Sequence, residues 1–259
     1  MAGTVQYGGG GDAPHFCAEI KSETLKGLVN IISAIVDEVK FTITPEGMTL
    51  KAVDAAHVAM IEINVDSGAF ESYAAEECEI GLDLDKIKGV LKLASGVDII
   101  RMEQDADKGR LIFRVGNITR AMTILDTSSL NDPKVPDLHL KSSIGISIDE
   151  LKKGISAADA ISDHITMRAN SERFELSCEG DTDSVTLRVD KPNLASLDAD
   201  DEVCSMFPLD YFSNIVKAIP NGTVINIELD NDYPVKLLFG IAGQHVSVNY
   251  LLAPRIESE

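Results

Sequence analysis

Residues 25–50, LKGLVNIISAIVDEVKFTITPEGMTL, carry the pattern that decides the fold, because it returns 126 residues later in 151–176, LKKGISAADAISDHITMRANSERFEL. Apolar residues at helical spacing open the first copy: Leu25, Leu28, Val29, Ile32, Ile35 and Val36. Alternating apolar residues follow at 41–43 and 48–50, separated by the turn signal Pro-Glu-Gly at 45–47. The segment therefore predicts one helix followed by antiparallel strands, present twice.

A second repeated unit lies further along each half. Residues 84–92, LDKIKGVLK, match 209–217, LDYFSNIVK, and strand-like segments follow both copies at 98–103 and 111–115, then at 223–228 and 235–239. We expect an α+β fold of two similar domains, each with helices on one face of antiparallel sheets. The predicted divisions are a flexible glycine-rich extension (1–15), a first domain (16–125), a connector broken by Pro133 and Pro136 (126–141) and a second domain (142–259).

Composition excludes several classes of protein. The 259 residues are 44% hydrophobic, enough for a sizeable core, yet no apolar run reaches the length of a membrane span and no secretory signal opens the chain. The four cysteines are far apart and form no C-x-x-C pair, so we expect reduced thiols. These features predict a soluble protein of the cytoplasm or nucleus, and the formal net charge of −19 discourages general phosphate binding.

Catalytic motifs are missing from the sequence. There is no phosphate-binding loop, H-E-x-x-H or G-x-S-x-G, and the five histidines have no ligand spacing. The best enzymatic alternative is a carboxylate and metal-dependent nucleic-acid enzyme, which would use acidic clusters at Asp181, Asp183, Asp198, Asp200 and Asp201. These clusters lie in polar stretches typical of solvated turns. We therefore expect no enzyme activity, no cofactor and no metal site.

Lysines are concentrated on the four predicted helices, which hold seven lysines against six acids in a strongly acidic chain. Five of those acids occupy first helical turns, where carboxylates complement the helix dipole, and only Asp159 opposes lysines further along. An alternative explanation is that lysines simply occupy the solvent-facing side of amphipathic helices. Their segregation nevertheless favours one weakly basic face shared by the helices.

Two motifs resemble a known family. Residues 50–60, LKAVDAAHVAM, and 250–257, YLLAPRIE, are similar to signatures of the proliferating cell nuclear antigen family of DNA sliding clamps. The resemblance covers residues 16–259, and the short connector together with the ending RIESE is more similar to archaeal members. It implies a homotrimeric ring of six domains whose helices line a channel for double-stranded DNA, and a cytoplasmic location. A heterotrimeric specialised clamp is the alternative within this fold.

The resemblance also implies which residues face DNA. Positions that match basic residues of the channel are Lys26, Lys92, Lys153 and Lys217, with Lys86, Lys88 and Lys152 nearby. Other positions that are basic in relatives are Gly27, Ser33, Gly89 and Ser156, so the channel should be less positive than usual. The segments 117–125 and 184–189 match the strands that join subunits.

The family's partner site is a groove beneath the connector that receives peptides with a glutamine, an aliphatic residue and two aromatics. The implied partners are a replicative DNA polymerase, the clamp loader, flap endonuclease and DNA ligase. By position the groove uses Val53, His57, Val58, Met60, Leu130, Val135, Leu140, Pro234, Leu251, Ala253 and Pro254. For Val53 and Val58 a place in the core is an equal alternative, and Leu251 stands where relatives often carry an aromatic residue.

Overall fold

The computed structural model describes residues 15–130 and 132–255. Apart from His15, the predicted glycine-rich extension lies outside these residues, as do Asn131 and residues 256–259. None of the helices in the described ranges is long and apolar enough to cross a membrane.

The two halves of the chain repeat one order of elements. The first half contains α1 (Ser22–Ser33), α2 (Leu84–Leu91) and the strands β1 (Phe16–Lys21), β2 (Glu38–Thr44), β3 (Gly47–Val53), β4 (Ala59–Asp66), β5 (Ser72–Ala75), β6 (Cys78–Asp83), β7 (Ile99–Asp105), β8 (Arg110–Val115) and β9 (Ile118–Thr123). The second half contains α3 (Ile148–Ala158), α4 (Leu209–Ala218) and the strands β10 (Ser142–Ser147), β11 (His164–Ala169), β12 (Arg173–Glu179), β13 (Ser184–Asp190), β14 (Ser196–Asp198), β15 (Val203–Pro208), β16 (Val224–Leu229), β17 (Val235–Ile241) and β18 (Val246–Leu252). The predicted α+β fold with internal duplication is confirmed.

Three antiparallel sheets hold these strands. A nine-stranded sheet runs β14-β10-β16-β17-β18-β4-β3-β2-β6 and joins the halves where β18 pairs with β4. A five-stranded sheet runs β5-β1-β7-β8-β9, and a four-stranded sheet runs β13-β12-β11-β15. The strands β9 and β13 are therefore left at open edges.

Helix α1 is shorter than its apolar pattern predicts. It ends at Ser33, and the amides of Ile35 and Val36 donate to the carbonyl of Ile32 in a closing turn. The chain must reverse before β2 begins at Glu38, so Ile35 and Val36 pack half-buried against the core outside the helix. The prediction that these residues pack against the core is confirmed, and the prediction that the helix includes them is wrong.

The four helices form a single row that packs on the sheets. α1 contacts α2, α4 contacts α3, and α1 and α4 meet across the two halves. Leu28 and Ile32 on α1, like Leu151 and Ile155 on α3, are almost fully buried. Because the apolar side of each helix is used in this way, its polar side is left at the surface of the row.

The connector begins with a short turn, Thr127–Ser129, capped by the carboxylate of Asp126. From 132 to 140 the chain forms no helix or strand, in keeping with Pro133 and Pro136. The exact domain boundaries stay a prediction.

Candidate nucleic-acid and partner interface

The seven lysines predicted to face DNA lie on or beside the helix row. Five are exposed, whereas Lys88 and Lys152 are half-buried. By element they are Lys26 on α1, Lys86, Lys88 and the C-cap Lys92 on α2, Lys152 and Lys153 on α3, and Lys217 on α4. The structure thus brings them to one layer of the molecule.

Four of these lysines are paired with carboxylates. The nitrogen–oxygen distance is 3.2 Å for Lys86–Asp83, 3.0 Å for Lys88–Asp85 and 2.6 Å for Lys153–Glu150, and Lys217 pairs with Asp159 on the neighbouring helix. The hydrogen bond to Glu150 raises the pKa of Lys153. Exposed pairs of this kind are weak and are screened by salt, so a phosphate could compete for the lysine.

The other three lysines differ from these. The ammonium of Lys152 donates to the carbonyl of Ile219 and to Oδ1 of Asn221, both at 2.6 Å, and so binds the C-terminal end of α4. Among the described residues, Lys26 and Lys92 have no ion pair. These two lysines are the least neutralised of the set.

An arginine that the sequence did not suggest also reaches the helix row. A Cβ atom built at Gly89 on α2 would lie 2.5 Å from Nη1 of Arg120, whose backbone belongs to β9. The missing side chain at 89 therefore makes room for a guanidinium from the sheet edge. The sequence held one sign of this arrangement, because Gly89 is a glycine inside a predicted helix at a position where relatives carry a basic residue.

The floor of the predicted groove is one row of residues across neighbouring strands. Val53 on β3 lies opposite Met60 on β4, which lies opposite Leu251 on β18. Val53 and Met60 are half-buried, and Leu251 is buried at 6% exposure on the sheet face opposite Tyr250 and Leu252. Strand alternation therefore directs all three side chains away from the main core.

The connector covers one end of this row. Leu130 and Val53 line a cavity of about 180 Å³ together with Lys40 and Lys51. At the other end, the amide of Ala253 donates to the carbonyl of Val58 at 2.9 Å. Pro234, Val135, Leu140 and Pro254 are half-buried, and their part in a groove stays a prediction.

His57 and Val58 lie on the loop between β3 and β4, which is built around Asp54. This carboxylate is 7% exposed and accepts hydrogen bonds from the amides of Ala56, Val58 and Ala59. Burial by itself raises the pKa of Asp54, but these bonds and one from Tyr211 outweigh burial and leave the pKa below its usual value.

The aspartates of the enzymatic alternative, Asp181, Asp183, Asp198, Asp200 and Asp201, are all exposed. Within 15–130 and 132–255, no three side chains of His, Cys, Asp or Glu are grouped so that they would hold a metal ion. The arrangement gives this alternative no support.

Comparisons with known proteins agree over most of the chain. Residues 16–130 match the family described as proliferating cell nuclear antigen, N-terminal domain, and residues 134–255 match its C-terminal domain. A DNA polymerase sliding clamp of Methanosarcina mazei is 41% identical over 245 residues, which are 94% of this chain and 100% of that protein. One from Haloarcula marismortui is 34% identical over 247 residues, with the same coverage.

Solved structures give the same result. The structure described as "C-terminal region of FEN-1 bound to A. fulgidus PCNA" has a TM-score of 0.89 at 33% identity, covering 94% of this chain and 100% of that one. The PCNA of Thermococcus kodakaraensis shares the fold, with a TM-score of 0.85 at 22% identity, covering 93% of this chain and 100% of that one. With both domain families matched along its length, the chain belongs to the proliferating cell nuclear antigen family, as an archaeal-type member.

Proposed function

We propose that this chain, a sliding clamp by family, closes into a ring of three copies around duplex DNA and tethers replication and repair enzymes to it. In this role it catalyses no reaction, and its place is the cytoplasm of an archaeal-type cell. Six strands end the three sheets, and the observation that carries the ring is that two of them, β9 and β13, repeat the two strands by which the halves are joined, β18 and β4.

The internal joint between the two halves is a template for how those edges could pair. Because the elements repeat in order, β9 is the equivalent of β18, and β13 is the equivalent of β4. Within one chain β18 and β4 pair antiparallel along seven residues. The same pairing between β9 of one copy and β13 of the next would join copies head to tail and leave neither strand unpaired.

The register of this junction follows from the neighbouring strands. Val248 pairs with Phe239 as Ile118 pairs with Val115, so Ile118 takes the place of Val248. On the other side of the junction, Leu187 pairs with Leu176 as Ile63 pairs with Leu50. Since Leu176 is the repeat of Leu50, Leu187 takes the place of Ile63. Since Val248 lies opposite Ile63, Ile118 should lie opposite Leu187 of the next copy.

Burial favours this register. Val248 and Ile63 are 2% and 0% exposed in the internal joint, whereas Ile118 is 47% exposed and Leu187 is half-buried. The closed ring would give both residues the burial that their equivalents already have. It would also extend the helix row, because α2 and α3 lie beside the two open edges: Arg120 covers Gly89, and Leu187 packs 2.8 Å from a Cβ built at Gly154.

Two surfaces would then serve two kinds of partner. The helix row presents Lys26 and Lys92, together with the lysines that are paired with carboxylates, to the DNA backbone. Recognition of the backbone needs no contact with the bases. The row of Val53, Met60 and Leu251 beneath the connector would receive short peptides of a DNA polymerase, clamp loader, flap endonuclease or ligase. The A. fulgidus relative, whose structure is described as bound to the C-terminal region of FEN-1, supports the binding of partner peptides by this chain.

The mass of the purified chain tests the ring. We expect three copies at micromolar concentration, and a persistent monomer at low and high salt would contradict the proposal. Cysteines at Thr119→Cys and Thr186→Cys, opposite each other in the proposed register, should be joined between copies by a short bifunctional maleimide. The pair Thr119→Cys and Leu187→Cys, one residue out of register, is the control and should cross-link poorly.

A further inference from the structure

Loop 54–59, which joins β3 to the first residue of β4, contains an unfavourable backbone conformation. His57 has a φ of 58°, in the left-handed region that non-glycine residues seldom adopt. Such a conformation is strained and persists only where the surroundings of the residue fix it. A loop of this kind needs a strong anchor.

Asp54 is that anchor, since all of its hydrogen-bonding groups are used. Oδ1 accepts from the amides of Val58 and Ala59, both at 2.7 Å, and Oδ2 accepts from the amide of Ala56 at 2.9 Å. The backbone of Asp54 also bonds with the amide of His57 and the carbonyl of Ala59, at 3.0 Å each. The carboxylate thus fixes the path of the loop on both sides of His57.

The remaining hydrogen bond to Asp54 comes from the other half of the chain. The hydroxyl of Tyr211, in the first turn of α4, donates to Oδ2 at 3.0 Å. Tyr211 is itself held, because the hydroxyl of the buried Tyr250 donates to its carbonyl at 3.4 Å. The first half therefore supplies the loop, and the second half supplies the group that completes its anchor.

We propose that Tyr211 is a positioning residue for partner binding, which acts through Asp54 to hold loop 54–59 so that His57 and Val58 face an incoming peptide. The inference rests on the proposed groove, because both loop residues belong to it. His57 is exposed, and Val58 packs on the core with one side but is only half-buried, so both keep some surface that a peptide could contact. Tyr211 itself need not contact the peptide.

Tyr73 provides a matched control for the loss of a hydroxyl. Its hydroxyl lies 2.8 Å from the carbonyl oxygens of both Thr44 and Gly47, which share its single proton, at the start of β3, whereas Val53 of the proposed groove is at the other end of that strand. Tyr73→Phe and Tyr211→Phe each remove one hydroxyl donor from the fold. A purely structural role of Tyr211 would therefore affect peptide binding no more than Tyr73 does.

The experiment titrates a synthetic peptide carrying a glutamine, an aliphatic residue and two aromatics into the full chain by calorimetry. We expect Tyr211→Phe to lower affinity roughly fivefold to tenfold with the mass of the assembly unchanged, because a hydrogen bond to a charged group is removed. Amide hydrogen exchange at Val58 and Ala59 should accelerate in the same variant. Tyr73→Phe should keep its affinity within about twofold, even where its melting temperature falls.

A second variant, Asp54→Asn, guards against a folding defect in the first. It should also weaken peptide binding, and adding Tyr211→Phe to it should cause little further decrease, since Tyr211 acts on the loop through Asp54. Equal affinity of wild type and Tyr211→Phe would overturn the inference and leave the groove standing, as would an equal decrease in Tyr73→Phe. A wild type that does not bind the peptide would overturn the groove, and this inference with it.

Discussion

Lys217 on α4 is paired with Asp159 at the end of α3, although 58 residues separate them in the chain. The hydroxyl of Ser213 donates to the same carboxylate oxygen at 3.1 Å. A lysine that we propose to attract DNA is thus partly neutralised by a neighbouring helix. Asp159 would therefore compete with DNA phosphates for Lys217.

Asp159→Asn should strengthen attraction to DNA, because it removes the negative charge that pairs with Lys217. The asparagine side chain keeps the size of the aspartate and one oxygen that can accept a hydrogen bond. An exposed pair is worth up to about 1 kcal/mol, which corresponds to roughly a fivefold gain in affinity. The measurement is binding to a short duplex at several salt concentrations. In a Lys217→Ala background the same substitution should give a clearly smaller gain, and an equal gain would show that Asp159 acts only through net charge.

Replacing Lys26, Lys92, Lys153 and Lys217 by alanine should weaken attraction to circular DNA and shorten residence while leaving assembly intact. Removing one lysine–phosphate interaction reduces the slope of log affinity against log salt by about 0.9. Since Lys26 and Lys92 have no ion pair among the described residues, Lys26→Ala with Lys92→Ala should produce most of the effect. The pair Lys153→Ala and Lys217→Ala is the control, and unchanged salt response in the quadruple variant would refute the channel assignment.

The duplication, the four helices and most strands were predictable, because apolar periodicity is local and both halves carry it. The ion pairs were not, because Lys217–Asp159 depends on how α3 packs on α4. The same limit applies to the hydrogen bond between Asp54 and Tyr211, 157 residues apart, and to Arg120 over Gly89. The end of α1 was missed because Ile35 and Val36 are buried beside the helix and so extend its apparent pattern.

Ile118→Asp should prevent assembly, because it places a charge at a position whose equivalent in the internal joint is almost fully buried. Burial of an isoleucine side chain contributes about 1.5–3 kcal/mol, so each junction should weaken at least tenfold. Light scattering at micromolar concentration should then show monomers. Val224→Asp, at another exposed apolar residue (56%), should leave the assembly intact.

The lowered pKa of Asp54 gives a pH signature. A carboxylate whose pKa is depressed by folding stabilises the folded state above its unfolded-state pKa, and this stabilisation disappears as pH falls through the folded-state value. Asp54→Asn should therefore lower the free energy of unfolding equally at pH 7 and pH 5, by about 1–3 kcal/mol for a disrupted buried hydrogen-bond set. Below about pH 4, the difference in free energy of unfolding between wild type and Asp54→Asn should become smaller, as measured by urea titrations. A difference that is the same at pH 3 as at pH 7 would contradict the assignment.

Changing Leu130 and Val135 to serine should abolish polymerase stimulation without disturbing the ring or its hold on DNA. Both are half-buried apolar residues on a proline-bearing connector, and Leu130 lines the cavity that adjoins Val53. Serine removes the apolar wall against which a partner's aromatic side chain would pack, an anchor worth about 2 kcal/mol or more. That energy corresponds to roughly a thirtyfold change in affinity. Calorimetry with the glutamine-and-aromatic peptide measures it, with Leu138→Ser, on another half-buried connector residue, as the control. Equal affinity of the wild type and the Leu130/Val135 variant, both still assembled, would place the partner site elsewhere on the clamp.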